Sequence, residues 1–262
     1  MAIHPTAIIH PDAQLAGDVE VGPYSIIEAG VQIGAGTIIG PHCVINSGVI
    51  MGANNHCYSG AQIGSSPQDL KHLPGAVGKT IIGDGNMFRE FVTVSSSTVY
   101  RTDDTERFTS IGHGCLLMSC THVAHDCHLG DGVIMANGAV LAGHVTIQDR
   151  AILGGLVGVH QFTIIGKLSF IGGMTRVNKD ILPYMIVEGA PPRCFGPNTV
   201  GLERNGLSKD AIKRIRTIYR LLYRSDLNTS QALEQIESTI EDSPERTILL
   251  DFIRKSERGI SK

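Results

Sequence analysis

Apolar residues recur at every sixth position along most of the chain. From Ile3 the series runs through Ile9, Leu15, Val21, Ile27, Ile33, Ile39, Ile45, Met51 and Cys57 to Ile63, eleven apolar positions in succession. The residue after the anchor is Gly, Ala or Glu in seven of the eleven cases, and four places after it stands a mostly small or β-branched residue such as Ala13, Val19, Ser25, Val31 or Cys43. The series resumes at Ile82, Phe88 and Val94, then runs unbroken from Ile111 to Val177. A helix would need a period of 3.6 and a simple strand a period of 2.0. A period of six fits short strands joined by tight turns and wound as a parallel β-helix, with the anchors stacked in an apolar column. Glycine after the anchor suits a turn that needs unusual dihedrals or close backbone approach.

Two stretches, 65–79 and 95–110, interrupt the hexads, yet Ile111 is again a multiple of six from Ile3. Both read as loops ejected from the coil, and long ejected loops often carry function. The first holds Gln68, Asp69, Lys71 and His72. After Val177 the hexads fade, and 181–197 reads as a connector containing Pro and Gly. The pattern then becomes helical. Ser208 is the expected N-cap of a helix to about Arg224, with Ile212, Ile215, Tyr219 and Leu222 on one face. Ser230 is the expected cap of a second helix to about Glu241, and Ser243 with Pro244 that of a third to about Lys255. Two domains follow: a β-helix over 1–190 and a helical domain over 191–262.

Composition narrows the picture. Gly is frequent at 31 residues, Trp is absent and aromatic residues make up 5%, which suits an interior too narrow for large rings. A net charge of −3 gives no basic excess for nucleic acid. The sequence shows no signal-peptide pattern and no apolar run long enough to span a bilayer, so a cytoplasmic protein with reduced cysteines is expected. The first predicted helix departs from the overall balance. It carries Lys209, Lys213, Arg214, Arg216, Arg220 and Arg224 against Asp210 alone, which points to a surface for an acidic partner.

The candidate chemistry lies in Cys120 to His128, CTHVAHDCH. With three hexads per coil, residues 18 apart stack about 4.8 Å apart. Asp126 then lies beneath His144, His125 beneath Gly143, and Ala142 beneath His160. His122, His125, His144 and His160 fall within three successive coils around one carboxylate. The cluster can be polar decoration of a corner, a zinc site, or a general base with its orienting groups. Register weighs against zinc, because Cys43, Cys115 and Cys127 all fall four places after an anchor, among the small core positions. No serine or cysteine is placed as a nucleophile, so direct transfer is the simpler chemistry. A zinc-dependent hydratase and a non-catalytic β-helix scaffold are the competing classes.

The hexads, the Gln68-Asp69-Leu70-Lys71 loop, the HVAHDC run from His122, Gly143-His144, the VHQF run from Val159 and the helical C-terminus together resemble the UDP-N-acetylglucosamine O-acyltransferases of lipid A synthesis. The resemblance covers essentially the whole chain. It implies a left-handed parallel β-helix with a C-terminal α-helical domain, assembled as a homotrimer with active sites between subunits. It implies transfer of a 3-hydroxyacyl group from acyl carrier protein to the sugar 3-hydroxyl, the donor riding on the carrier's phosphopantetheine with no further cofactor and no metal. By matching position, His125 would be the general base, Asp126 its orienting partner and Gly143 the oxyanion donor. Asp69, Lys71, His122, His144, His160, Gln161, Asn198 and Arg204 would line the substrate site, and Gly173 would set acyl length. Lys213, Arg216 and Arg220 would face the acidic carrier. Pro191, Val200 and Asn205 depart from the histidine, glutamate and arginine of well-known members.

Overall fold

The computed structural model describes residues 2–101, 103 and 106–261. Each hexad forms one short strand, usually of two residues, ending on the anchor, and three strands complete a coil. Strands therefore stack in three parallel sheets, here called faces. The first face starts at Ala2–Ile3, the second at Ile8–Ile9 and the third at Gln14–Leu15. Pairing is 18 residues apart in the regular coils, as in Ile33 with Met51 and Val123 with Leu141. The anchors and the residues four places on fill the interior: Ile27, Ile39, Ile45, Val31 and Cys43 are buried, as are Cys115 and Cys127. The mainly β, parallel β-helical architecture expected from the hexads is the one observed.

The glycine after the anchor serves close approach. A Cβ on Gly22 would lie 2.8 Å from the Gly40 carbonyl carbon, and one on Gly34 2.6 Å from that of Gly52. The left-handed dihedral falls two residues later, where it is taken even by Tyr24, His42, Asp126, His144 and Phe162. The stacked coils over-determine these strained turns.

Both ejected loops leave from the corner between the second and third faces. Across the first, Met51 pairs with Ile82, 31 residues on; across the second, Ile82 pairs with Ile111, 29 on. The excesses of 13 and 11 residues over the usual 18 add to a multiple of six, which is why Ile111 regains the original phase.

The segment 181–197, expected as a connector, forms an antiparallel hairpin of Met185–Glu188 and Arg193–Pro197 on the first face. It straddles the expected boundary at residue 190. Alternating apolar residues (Met185, Val187 and Cys194 inward) drive it, a period-two signal too short to stand out against the hexads. Among the described residues four helices follow: α1 (Thr199–Arg204), α2 (Lys209–Tyr223), α3 (Thr229–Thr239) and α4 (Pro244–Lys255). Ser208 and Ser243 cap α2 and α4 as expected. Ser230 does not cap α3: Asn228 does, in a reciprocal capping box with Gln231, and the helix ends at Thr239. The short α1 was not expected. After α4 the chain returns to the coil, where Ile260 bridges Asp180 and Ser256 donates to the Asp180 carboxylate at 2.6 Å. Among the described residues no helix is long and apolar enough to cross a membrane.

Candidate active site

The turn holding His125 and Asp126 lies at the same corner as the two loops, in the coil next to the second loop. His125 Nδ1 is 2.8 Å from Asp126 Oδ2. An ionised carboxylate only accepts, so Nδ1 carries the proton and the neutral ring keeps its lone pair on Nε2. Asp126 is 6% exposed. Its N–H donates to Thr109 Oγ1 at 2.9 Å, and Thr98 Oγ1 donates to its Oδ2 at 2.7 Å. Burial opposes its ionisation, but the hydrogen bonds from His125 and Thr98 and the charges of His144 and His125 outweigh it and hold its carboxyl below the ordinary value. Asp126 therefore stays anionic at neutral pH.

The expected stacking is present. His144 N–H donates to the His125 carbonyl at 3.0 Å, and the His144 ring stands edge-on to that of His125 at 5.2 Å. Phe162, one coil further on, stacks on His144 at 4.6 Å. The imidazole of His125 lies against Gly143, where a Cβ would come within 2.6 Å of Nε2. Among the described residues the Gly143 N–H meets no acceptor. Some turn N–H groups at this position are capped by side chains, as Asp131 is by Asp149 at 3.0 Å and Lys167 by Gln148 at 3.0 Å, and Gly143 is among those left free. A lone-pair nitrogen and an uncapped N–H donor thus stand side by side.

They open on a cleft of about 550 Å³ along the outside of the second face. His122, Ala142, His160 and Gln161 line it, with Gln68 reaching in from the first loop. His122 Nδ1 is 2.8 Å from Thr93 Oγ1. Asp69 and Lys71 sit on that loop, the Asp69 carboxylate accepting from Lys71 N–H at 2.8 Å and Tyr100 O–H at 3.0 Å. The structure therefore gathers His122, His125, Asp126, Gly143, His144, His160 and Gln161, with the Asp69–Lys71 loop beside them. Asn198 and Arg204 do not line this cleft. Asn198 is buried, caps α1 and donates to Leu168 O at 3.0 Å, while Arg204 is exposed in the last turn of α1. Gly173 lies at the opposite edge of the second face, a Cβ there being 3.3 Å from Gly155 O. Arg176, Thr98, Thr109 and Phe162 were not foreseen: hexads mark core positions, and nothing in a loop sequence says which hydroxyl meets a carboxylate one coil away.

On α2, Lys213, Arg216 and Arg220 are exposed and share one helix side. Arg214 instead pairs with Glu245 at 3.4 Å, and Arg224 donates to Tyr219 Oη at 3.0 Å. Arg224 stays exposed, so Arg214 alone is drawn away from the basic surface.

Donor atoms of His125, Asp126 and His144 lie within 4.8 Å of one another. Ligands of a tetrahedral zinc at ~2.0 Å are about 3.3 Å apart. The 2.8 Å contact of Nδ1 with Oδ2 is instead a hydrogen bond. Cys127 faces the core, with its thiol pushed up to about 12 by burial. As arranged, Nδ1 and Oδ2 bond to each other rather than stand apart around an ion.

Burial also lowers the pKa of His122, His128 and His144 below the ordinary 6.5. The unfolded chain then takes up these protons before the folded chain does, so stability is fully present above pH 6.5 and is lost as pH falls below it. The thermal midpoint should drop between pH 7 and pH 5, and His128→Asn should flatten that slope. A midpoint independent of pH in this window would contradict the assignment.

Repeated hexads around a carboxylate-oriented histidine in an open cleft define a hexapeptide-repeat transferase. Residues 108–143 match the model for bacterial transferase hexapeptide repeats, and residues 180–261 match that for the second domain of UDP N-acetylglucosamine O-acyltransferase. An acyl-[acyl-carrier-protein]--UDP-N-acetylglucosamine O-acyltransferase of Trichlorobacter lovleyi is 51% identical, with all of both chains covered. One from Myxococcus xanthus is 44% identical over 99% of each. Among solved structures, LpxA from Acinetobacter baumannii superposes with a TM-score of 0.94 at 42% identity over the whole of both chains. The Arabidopsis UDP-N-acetylglucosamine acyltransferase gives 0.86 at 34%, covering 99% of this chain and 100% of that one. The chain belongs to the UDP-N-acetylglucosamine O-acyltransferase family.

Proposed function

We propose that the protein transfers a 3-hydroxyacyl chain from acyl carrier protein to the 3-position of UDP-N-acetylglucosamine, the first step of lipid A synthesis, in the cytoplasm. The observation that carries the mechanism is the pairing of the His125 lone pair with the uncapped Gly143 N–H at one end of the cleft. His125 Nε2 takes the proton of the sugar 3-hydroxyl as its oxygen attacks the thioester carbonyl. Gly143 N–H donates to the resulting oxyanion, a contact worth about 3 kcal/mol in comparable sites. Collapse expels the carrier thiolate, which regains a proton from the imidazolium. Asp126 holds the ring in register and balances its charge. His122, His144, His160, Gln161, Asp69 and Lys71 bind the sugar nucleotide. Arg204 reaches it from a neighbouring subunit of a homotrimer, on the helix that Asn198 caps, which fits a cleft left open on one side in the single chain. The exposed Lys213, Arg216 and Arg220 receive the acidic carrier.

The deciding experiment offers the purified protein UDP-N-acetylglucosamine, with the 3-amino sugar as comparator, and 3-hydroxyacyl carrier proteins of graded length. An alkali-labile ester should form on the 3-hydroxyl sugar; no acylation from any donor would overturn the reading. Gly173 leaves the groove open to longer chains, and its surroundings can admit a side chain with a small shift. Gly173→Met should move the preference to shorter donors, and an unchanged preference would remove Gly173 as the ruler.

A further inference from the structure

Asp126 draws a donor from outside its own coil. Thr98, on the second ejected loop, is fully buried, and both its hydroxyl (2.7 Å) and its N–H (3.3 and 3.4 Å) point at that carboxylate. The next residue turns to the other loop: Val99 N–H donates to His72 Nδ1 at 3.0 Å, and Val99 O accepts from Leu73 N–H at 2.9 Å. His72 must then carry its proton on Nε2, which is 3.2 Å from Ala76 O. Tyr100 O–H, one residue further, donates to Asp69 Oδ2 at 3.0 Å. Three consecutive residues thus join the base's carboxylate to the loop of Asp69 and Lys71. A threonine needed only to fill space would use its methyl; here the polar atoms make the contacts.

We infer that Thr98 is a positioning residue for the general base, and that residues 98–100 are a strut that sets the base and the sugar-binding loop as one unit. This rests on the acyl transfer proposed above. Hydrogen bonds from the strut restrict the carboxylate to the orientation in which Oδ2 meets Nδ1 of His125. A ring turned even slightly would lose alignment of Nε2 with the acceptor hydroxyl. At the other end, Tyr100 fixes one Asp69 oxygen while the Lys71 N–H fixes the other, so the loop presents its side chains at a defined distance from the base.

Thr98→Val keeps the shape and removes the donor. It should lower kcat roughly tenfold or more, as loss of a hydrogen bond to a charged group does. The groups facing Asp126 are His125 and Cys127 in its own turn, His128 on the strand that follows, His144 from the next coil, and Thr98 and Tyr100 from the second loop. With one donor gone its proton affinity rises, so the acid limb of kcat/KM should move to higher pH. Thr98→Ser should restore both kcat and the profile. Tyr100→Phe should raise KM for UDP-N-acetylglucosamine more than it lowers kcat, and the double variant should lose less than the product of the single losses. Should the Val variant fail to fold, Thr98→Ala supplies the same readouts. A wild-type kcat and pH profile in the folded variant, or a defect that serine does not repair, would overturn the positioning role. Independent, multiplying effects of the two sites would overturn the strut. Wild-type protein that transfers no acyl group would instead overturn the proposed reaction and leave the hydrogen bonds as scaffold.

Discussion

His125→Ala should lower the rate of acyl transfer by ~100-fold or more, the usual contribution of a placed general base. The loss should fall on kcat, because the sugar-nucleotide contacts assigned to His122, His160 and the first loop remain. Asp126 stays hydrogen-bonded by Thr98 when the imidazole goes, so the turn keeps its shape and the fold survives. His125→Gln, which can still donate to Asp126, should be as inactive, since the amide has no basic nitrogen to place where Nε2 stands. Near-normal transfer by either variant would sink the base assignment and return the scaffold reading to favour. Wild-type activity should also survive treatment with a chelator, because the donor atoms are arranged for hydrogen bonding. Stoichiometric zinc in an active preparation that a chelator inactivates would reverse that conclusion.

Gly143→Ala should lower kcat by a comparable ~100-fold, for a different reason, since small misplacements of catalytic groups cost about that much. The new methyl would lie 2.6 Å from Nε2 and 3.0 Å from Nδ1 of His125. The ring can escape only by breaking its 2.8 Å hydrogen bond to Asp126 or by swinging into the cleft. The N–H donor to the oxyanion is retained in this variant, so the loss isolates the steric requirement from the electrostatic one. Thermal stability should change little, because the ring has the open cleft on its other side. A variant with wild-type kcat would show that the close contact is incidental, and would weaken the pairing of base and oxyanion donor on which the mechanism depends.

Much of the scaffold was legible from side-chain period. A register of six repeated over many coils specifies strand, turn and core position together, so the stacking of His125 under Gly143 and the burial of Cys127 could be read before any coordinates. The same pattern explained why glycine follows the anchor, although the left-handed residue proved to lie two places later. Legibility ended where the period did. The hairpin of Met185–Glu188 with Arg193–Pro197 is hard to see because its alternation spans only a few residues, and the cap of α3 is Asn228, two residues before the expected Ser230.

The sequence alone determined the coil, the inward cysteines, the placing of four histidines around one carboxylate, and, through whole-chain resemblance, the family. Tertiary structure decided what those groups touch. Thr98 and Thr109 hold Asp126, Tyr100 holds Asp69, Phe162 stacks on His144, and Arg214 leaves the basic side of α2 to pair with Glu245. Periodicity reports which way a backbone faces, whereas these contacts depend on how ejected loops fold back across neighbouring coils, and no repeat governs that.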